Sequence, residues 1–433
     1  MKKIAAFMLL CISFSLNAQF KVSGEIQNYA GQDIMVRIFK GPSDVLINKV
    51  KTDNNGKFTV NIPQKYSGIL RLTDASRYAV IDMLSDNENV SFTALFENNA
   101  FSNIRYKEGK TAQAFQNYSS YEGLLDMKAN IFPIIKTLYS ENDEFYKAML
   151  KEENRIGGLT TNTDLPLLKY YVSINEIANI QLDNKQIADV HKQTILNRLV
   201  NDNNYLEGSG FMFKLVLDYL RASIFGSTSQ EQINNTLEKE IDNLLVQTDL
   251  ETPRGQNVLS SVFLALPAEQ FPTLLEKYYA KANALTCEMT DELKTSLTAH
   301  NNTSIGSVVP NILFDKPIKG AKSLYDVKAD KKILIFWASW CPACNDEMPF
   351  VKEYYRNFKD AGGEIVSISL DYDQNAYNEA TKDFEWISYT DLLQWDTKSV
   401  MDFGITSTPT LLLLDKDNKL IKKAGHISEL VEL

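Results

Sequence analysis

Between Phe20 and about Phe101 apolar and polar residues alternate. "FKVSGEI", "IMVRIF" and "KFTVNI" place apolar side chains at every second position, the period of a half-buried strand. Asn54-Asn55-Gly56, set between Val50-Lys51-Thr52 and Lys57-Phe58-Thr59-Val60, predicts a β-hairpin. Residues 20–105 are therefore expected to form a small β-sandwich-like module, and no nucleophile or ligand cluster stands out in it. Over 106–300 the period changes. Glycine and proline thin out, and apolar residues recur at helical spacing, as in Phe213, Leu215, Val216, Tyr219 and Leu220. The aromatic residues fall on one helical face, which favours a packed core over a cofactor box. No repeat marks a solenoid. Polar, turn-rich residues 301–307 read as a linker, and 308–433 alternates strand and helix signals. A short apolar run at 333–336 predicts a strand buried on both faces. Met348, Phe350, Val351, Tyr354, Tyr355 and Phe358 then predict a helix starting near Cys341. Further strands are expected at 364–368, 410–414 and 419–421, the last two joined by a hairpin turn at Asp415-Lys416-Asp417-Asn418. The fold class is multidomain: an N-terminal all-β module, a helical middle region and a C-terminal α/β domain.

Length and composition are consistent with this division. The 433 residues suggest about three domains, and 44% hydrophobic with 23% charged residues supply more than one core. A net charge of -10 with no long Lys/Arg run excludes nucleic acid as a partner. The first residues, "MKKIAAFMLLCISFSLNAQ", read as a signal peptide over 1–19. Lys2 and Lys3 form the positive start, 4–16 is an apolar stretch short for a bilayer, and cleavage is expected after Ala18 or Gln19. Cys11 lies inside it, and Met8-Leu9-Leu10 lacks the small residues of a lipoprotein cleavage site. Without the signal only Cys287, Cys341 and Cys344 remain, too few for a disulfide-stapled scaffold. Cys287, in "KANALTCEMTDEL", is expected on a helix as a small buried hydrophobe, with an intermolecular or regulatory thiol as the alternative.

The candidate chemistry lies in "FWASWCPAC", residues 336–344. A strand that delivers Cys341 to a helix N-terminus places its sulfur where unpaired N–H groups and the helix dipole favour an anion. Thiolates in such settings have pKa values of about 3.5–7.5. Cys344 lies one turn on, on the same face and within disulfide range. One sulfur can then attack a partner's disulfide and the other resolve the mixed intermediate. Pro342 suits the first turn. Zinc would need four ligands, and neither the remaining cysteine nor His191 or His300 completes a set. A clip across two residues would close almost no loop. The acidic turns at 371 and 415 lack the glycine and glutamate of a calcium loop.

Residues 308–433 resemble the thioredoxin superfamily, and within it the TlpA/ResA-like exported thiol–disulfide oxidoreductases. The resemblance is carried by "FWASWCPACNDEMP", by "GITSTPTLLLLDKDNKLI", and by the helical insertion "LDYDQNAYNEATKDFEW" between them. It implies a thioredoxin-like fold and a catalytic set of Cys341 as exposed nucleophile, Cys344 as buried resolving thiol, Glu347 near the cysteines setting their protonation, and Pro409 as the cis-proline. It further implies client contacts from Trp340, Pro342 and the Thr408 backbone, with Trp337 also flanking the site. No metal and no cofactor beyond the redox-active Cys341–Cys344 disulfide are implied. Ile335 stands where minimal thioredoxins carry a buried aspartate, so Glu347 is expected to take over its proton role. Residues 20–98 resemble the small β-domain of unknown function found ahead of thioredoxin domains in Bacteroidetes-type exported proteins; the helical middle resembles no family.

The expected function is a periplasmic thiol–disulfide oxidoreductase acting on protein thiols and disulfides. The direction expected is that of a reductase fed by an inner-membrane electron donor; membrane association and oligomeric state are left open. The alternatives are a disulfide oxidase or isomerase, or an envelope protein that binds a partner while its thioredoxin domain is passive.

Overall fold

The computed structural model describes residues 20–158, 164–268 and 270–430. The expected signal peptide and Cys11 lie outside the described residues. Two compact units are present, one built on 20–38 and 47–173, the other on 39–46 and 174–430.

Residues 20–108 form a β-sandwich. Its strands are β1 (Phe20–Gln27), β2 (Asp33–Lys40), β3 (Ser43–Lys51), β4 (Lys57–Ile62), β5 (Ser67–Thr73), β6 (Val80–Asp86), β7 (Val90–Glu97) and β8 (Ala100–Glu108). They form two four-stranded sheets, ordered β4-β1-β7-β8 and β3-β2-β5-β6. Alternation does what the sequence pattern requires: Phe20, Val22 and Ile26 of β1 and Phe58, Val60 and Ile62 of β4 all point inward, meeting Val36, Leu70, Leu72 and Ile81 of the other sheet in one core. The turn at 53–57 is present but joins no hairpin, because β3 and β4 belong to different sheets. Asp53 Oδ1 accepts the N–H groups of Asn55 and Lys57, both at 2.8 Å, and Gly56 adopts φ +74°. The chain thus reverses and crosses to pair with β1, where Ile26 N–H donates to Gly56 O at 2.9 Å.

Helices follow from Lys110. Several of their starts are set by side-chain caps: Asn184 accepts from Ile187 N–H, Ser229 from Gln232 N–H, Thr252 from Gly255 N–H ahead of Pro253, and Thr290 from Leu293 N–H. The helix Met212–Ser223 buries Leu215, Val216, Tyr219 and Leu220 on one face, as its spacing predicts. His191 is buried as well, and burial holds its pKa below the usual histidine value. Cys287 departs from expectation. It sits in the loop between the helices Pro272–Asn283 and Asp291–Asn302 and is half-buried. Gln256, fully buried, holds that loop by donating to Cys287 Sγ and Glu288 O and by accepting Thr290 N–H.

The last part of the chain forms a small two-stranded sheet, β9 (Leu313–Ile318) with β10 (Ala321–Ser323), and a five-stranded sheet. The five are β11 (Lys331–Trp337), β12 (Gly363–Ser369), β13 (Ile387–Tyr389), β14 (Thr410–Asp415) and β15 (Leu420–Ala424), in the order β13-β12-β11-β14-β15. β11 is the centre: parallel to β12, antiparallel to β14, with Ile333, Leu334, Ile335 and Phe336 fully buried. The helix Pro342–Asp360 leaves its end, and Gln374–Thr381 supplies the expected insertion. Residues after the helix Asp291–Asn302 are tied to the final hairpin, with Leu420 N–H donating to Ser307 O and Val309 N–H to Asn418 O. The α/β domain is thioredoxin-like, and the chain is multidomain as the pattern predicts.

Candidate active site

Buried β11 ends at Trp337, and the chain turns through Ala338-Ser339-Trp340 into the helix Pro342–Asp360. Cys341 is the N-cap of that helix: its backbone is extended (φ -87°, ψ 113°) and its Sγ accepts Cys344 N–H at 3.2 Å. A thiol thus does what an N-cap hydroxyl does elsewhere. Pro342 occupies the first helical position and is exposed. On its other side Cys341 Sγ lies 3.4 Å from Thr408 O, and the Thr408–Pro409 peptide bond is cis. Cys341, Cys344, Thr408 and Pro409, distant in sequence, are brought together by the antiparallel pairing of β11 with β14, which places Phe336 opposite Thr410.

The two sulfurs have unlike surroundings. Cys344 is fully buried; burial, with the neighbouring Cys341 sulfur adding to it, pushes its thiol up to about 12 against the opposing hydrogen bonds from Ala338 and Thr408. Cys341 is less open than the resemblance implies, at 5% exposure, because the Thr408 carbonyl and the helix start bracket its sulfur.

Glu347, one turn beyond Cys344, is buried on the same helix. Its carboxylate is held from the far end of the chain: Oε1 accepts Ile427 N–H at 2.6 Å and Oε2 lies 2.9 Å from His426 Nδ1. Trp340 is half-buried, donates from Nε1 to Leu370 O at 3.1 Å and faces Trp395 with ring centroids 6.4 Å apart. Trp337 is a core residue, packed on Phe384.

Two residues that the sequence reading did not single out join this site. His426 carries no local signal, being an exposed histidine after a strand. Asp371, in an acidic turn that lacks the glycine and glutamate of a calcium loop, is buried and braces the loop before Cys341. Its carboxylate accepts Ser339 N–H at 3.2 and 3.3 Å, the Ser339 hydroxyl at 2.5 Å and the Ser369 hydroxyl at 2.5 Å. Asn345 Nδ2 completes the brace by donating to Ser339 O at 2.9 Å. Among the described residues no group of three or more His, Cys, Asp or Glu side chains is placed to hold a metal ion, and no helix is long and apolar enough to cross a membrane.

Chemically, the arrangement offers one sulfur beside the Thr408 carbonyl and a second sulfur behind it, the minimum for thiol–disulfide exchange through a mixed disulfide. Comparison with known proteins agrees. A thioredoxin-like family profile matches residues 330–420. The thiol-disulfide oxidoreductase ResA of Bacillus cereus is 31% identical over 120 residues, which is 28% of this chain and 68% of that protein. ResA of Bacillus thuringiensis subsp. konkukian is 29% identical over 127 residues, 29% of this chain and 72% of that protein. Among solved structures, the thioredoxin domain of a thiol-disulfide oxidoreductase from Bacteroides vulgatus is 26% identical with a TM-score of 0.27, covering 30% of this chain and 96% of that one. Through its C-terminal domain the chain belongs to the thioredoxin-like thiol–disulfide oxidoreductases and is an enzyme of that class.

Proposed function

We propose that this chain is an exported, periplasmic reductase of protein disulfides, with Cys341 as attacking thiol and Cys344 as resolving thiol. Cys344 carries the reading. Its sulfur is buried behind Cys341 and its thiol is pushed up to about 12, so it stays protonated until Cys341 has opened a client disulfide and then resolves the mixed intermediate. The direction, towards reduction, is the one that the resemblance of residues 308–433 to the TlpA/ResA-like proteins implies. Thr408 supports the assignment of clients as polypeptides: its carbonyl lies beside Cys341 Sγ at the start of β14, where an extended chain can pair with it. Trp340 and Pro342 flank the same spot and would contact the bound client. A pair that donates electrons outside the cytoplasm needs them replaced, so a membrane-embedded donor is part of the proposal.

Thiol trapping in the cell envelope tests the direction. A reductase shows the Cys341–Cys344 pair mostly as dithiol at steady state; a pair held mostly as disulfide, with clients oxidised in its presence, identifies an oxidase instead.

A further inference from the structure

Resolution of the mixed disulfide leaves one proton to be placed. When Cys344 attacks, its Sγ–H bond is broken and the Cys344–Cys341 disulfide forms. The Cys341–client disulfide breaks, and the client sulfur leaves with the electron pair and takes up a proton. Cys344 is fully buried, so its proton needs a path to water. Glu347, three residues on, shares its helix face and is itself only 6% exposed. Its carboxylate oxygens are held by Ile427 N–H and by His426, and on the His426 side it is not sealed from solvent. His426 Nδ1 lies 2.9 Å from Oε2, and the His426 side chain is 66% exposed. Both residues line a cleft of about 480 Å³, together with Phe350, Glu353, Tyr354 and Ile427. With Nδ1 turned to the carboxylate, Nε2 is the ring atom left for solvent.

We propose that His426 is the outer member of a proton path: it orients the Glu347 carboxylate and passes to water in the cleft the proton that Glu347 takes from Cys344. The inference rests on the reading of Glu347 as the group that serves Cys344, and adds to it a second residue and an exit. From the long helix, Glu347 contacts His426, and Glu353 and Tyr354 line the same cleft. Glu429 of its own turn accepts the His426 and Gly425 N–H groups, and Lys422 of β15 donates to Glu429 O. The hydrogen bond to Glu347, and then the Glu347 charge, hold the His426 pKa above the usual histidine value. An imidazole can both accept and release a proton near neutral pH.

The test uses the full chain in a Cys11→Ser, Cys287→Ser background, so that only the active pair reports. Reduced protein is mixed with 5,5′-dithiobis(2-nitrobenzoate) in a stopped-flow cell from about pH 5.5 to about pH 8.5. The first thionitrobenzoate released reports attack by Cys341; the second reports closure by Cys344. His426→Ala is expected to slow the second release about ten-fold, leave the first within about two-fold, and remove the histidine inflection from the pH profile. Added imidazole should restore part of the lost rate. His426→Asn, which can still donate to Glu347 without titrating, should keep the fold and lack the inflection. Glu347→Gln separates the two levels. If it changes the second release while His426→Ala and His426→Asn match the parent at every pH, the proton path through His426 is wrong and Glu347 stands. If Glu347→Gln also matches the parent, the reading of Glu347 fails and His426 falls with it. An inflection retained in His426→Asn would likewise overturn the relay, leaving a structural hydrogen bond.

Discussion

Cys341 and Cys344 stand one turn apart on the same helix, and nearly everything around them differs. Cys341 caps the helix, with a backbone N–H on one side and the Thr408 carbonyl on the other. Cys344 is enclosed by the core, and its thiol is pushed up to about 12. Three residues of separation thus produce two surroundings, because the helix start meets backbone groups on either side while the next turn is enclosed by the core. The protein invests in both ends. Asp371 braces the loop before Cys341, and His426 with Ile427 holds Glu347 beyond Cys344.

The sharpest way to break this contrast is to remove one sulfur at a time. Cys341→Ser should abolish insulin-disulfide reduction, at least a hundred-fold, since no other thiol at the helix start can open the client disulfide; surviving activity would remove Cys341 from its role. Cys344→Ser should keep the first attack and lose turnover, so a mixed disulfide with the client accumulates and is seen by mass spectrometry. Equal loss of both steps in that variant would contradict the division of labour. Next in size is Asp371→Ala, which leaves the Ser339 N–H and the Ser339 and Ser369 hydroxyls without their acceptor. A loss of about 2 kcal/mol in a denaturant melt is expected, with a larger relative loss in client reduction than in overall helix content by circular dichroism. An unchanged reduction rate would show that the brace serves the core alone.

The smallest effects are pH-linked. The Cys344 thiol has a folded pKa raised above the unfolded value of about 8.5. The reduced protein should therefore lose stability as pH rises above about 8.5, where only the unfolded chain ionises, by up to about 1.4 kcal/mol per pH unit. Cys344→Ser should lack this slope. His426 has its pKa raised by Glu347, so what the pair adds to stability is complete below about 6.5 and is lost as pH rises through the raised folded value. The gap in melting temperature between the parent and His426→Asn should narrow from about pH 6 to about pH 8.5.

Much of this site could be read from residues alone, because its elements are local. A buried strand, a cysteine at a helix start with proline after it, and a second cysteine one turn on are all encoded within residues 331–345. What connects distant segments was hidden. Two turns show why. Asp53 and Asp415 each accept, through Oδ1, the N–H groups two and four residues ahead at 2.8 Å. Gly56 and Asn418 both take positive φ, +74° and +63°. These turns share one local geometry. Yet β14 and β15 pair across theirs, while β3 and β4 separate into different sheets. Turn chemistry fixes a reversal; which strand is met next is decided by core packing, here by β1 pairing with β4. His426 escaped for the same reason, as its partner Glu347 lies 79 positions away. Cys287 was misplaced because "TCEMT" continues an apolar rhythm, while the Thr290 cap and the Gln256 side chain hold it as a loop.

The reduction potential of the Cys341–Cys344 pair, measured in equilibrium with glutathione redox buffers, tests the central claim most directly. The proposed reductase role predicts a value near the thioredoxin end of the range, about -270 mV. A value near about -120 mV, the oxidant end, would contradict the assignment of this chain as a reductase.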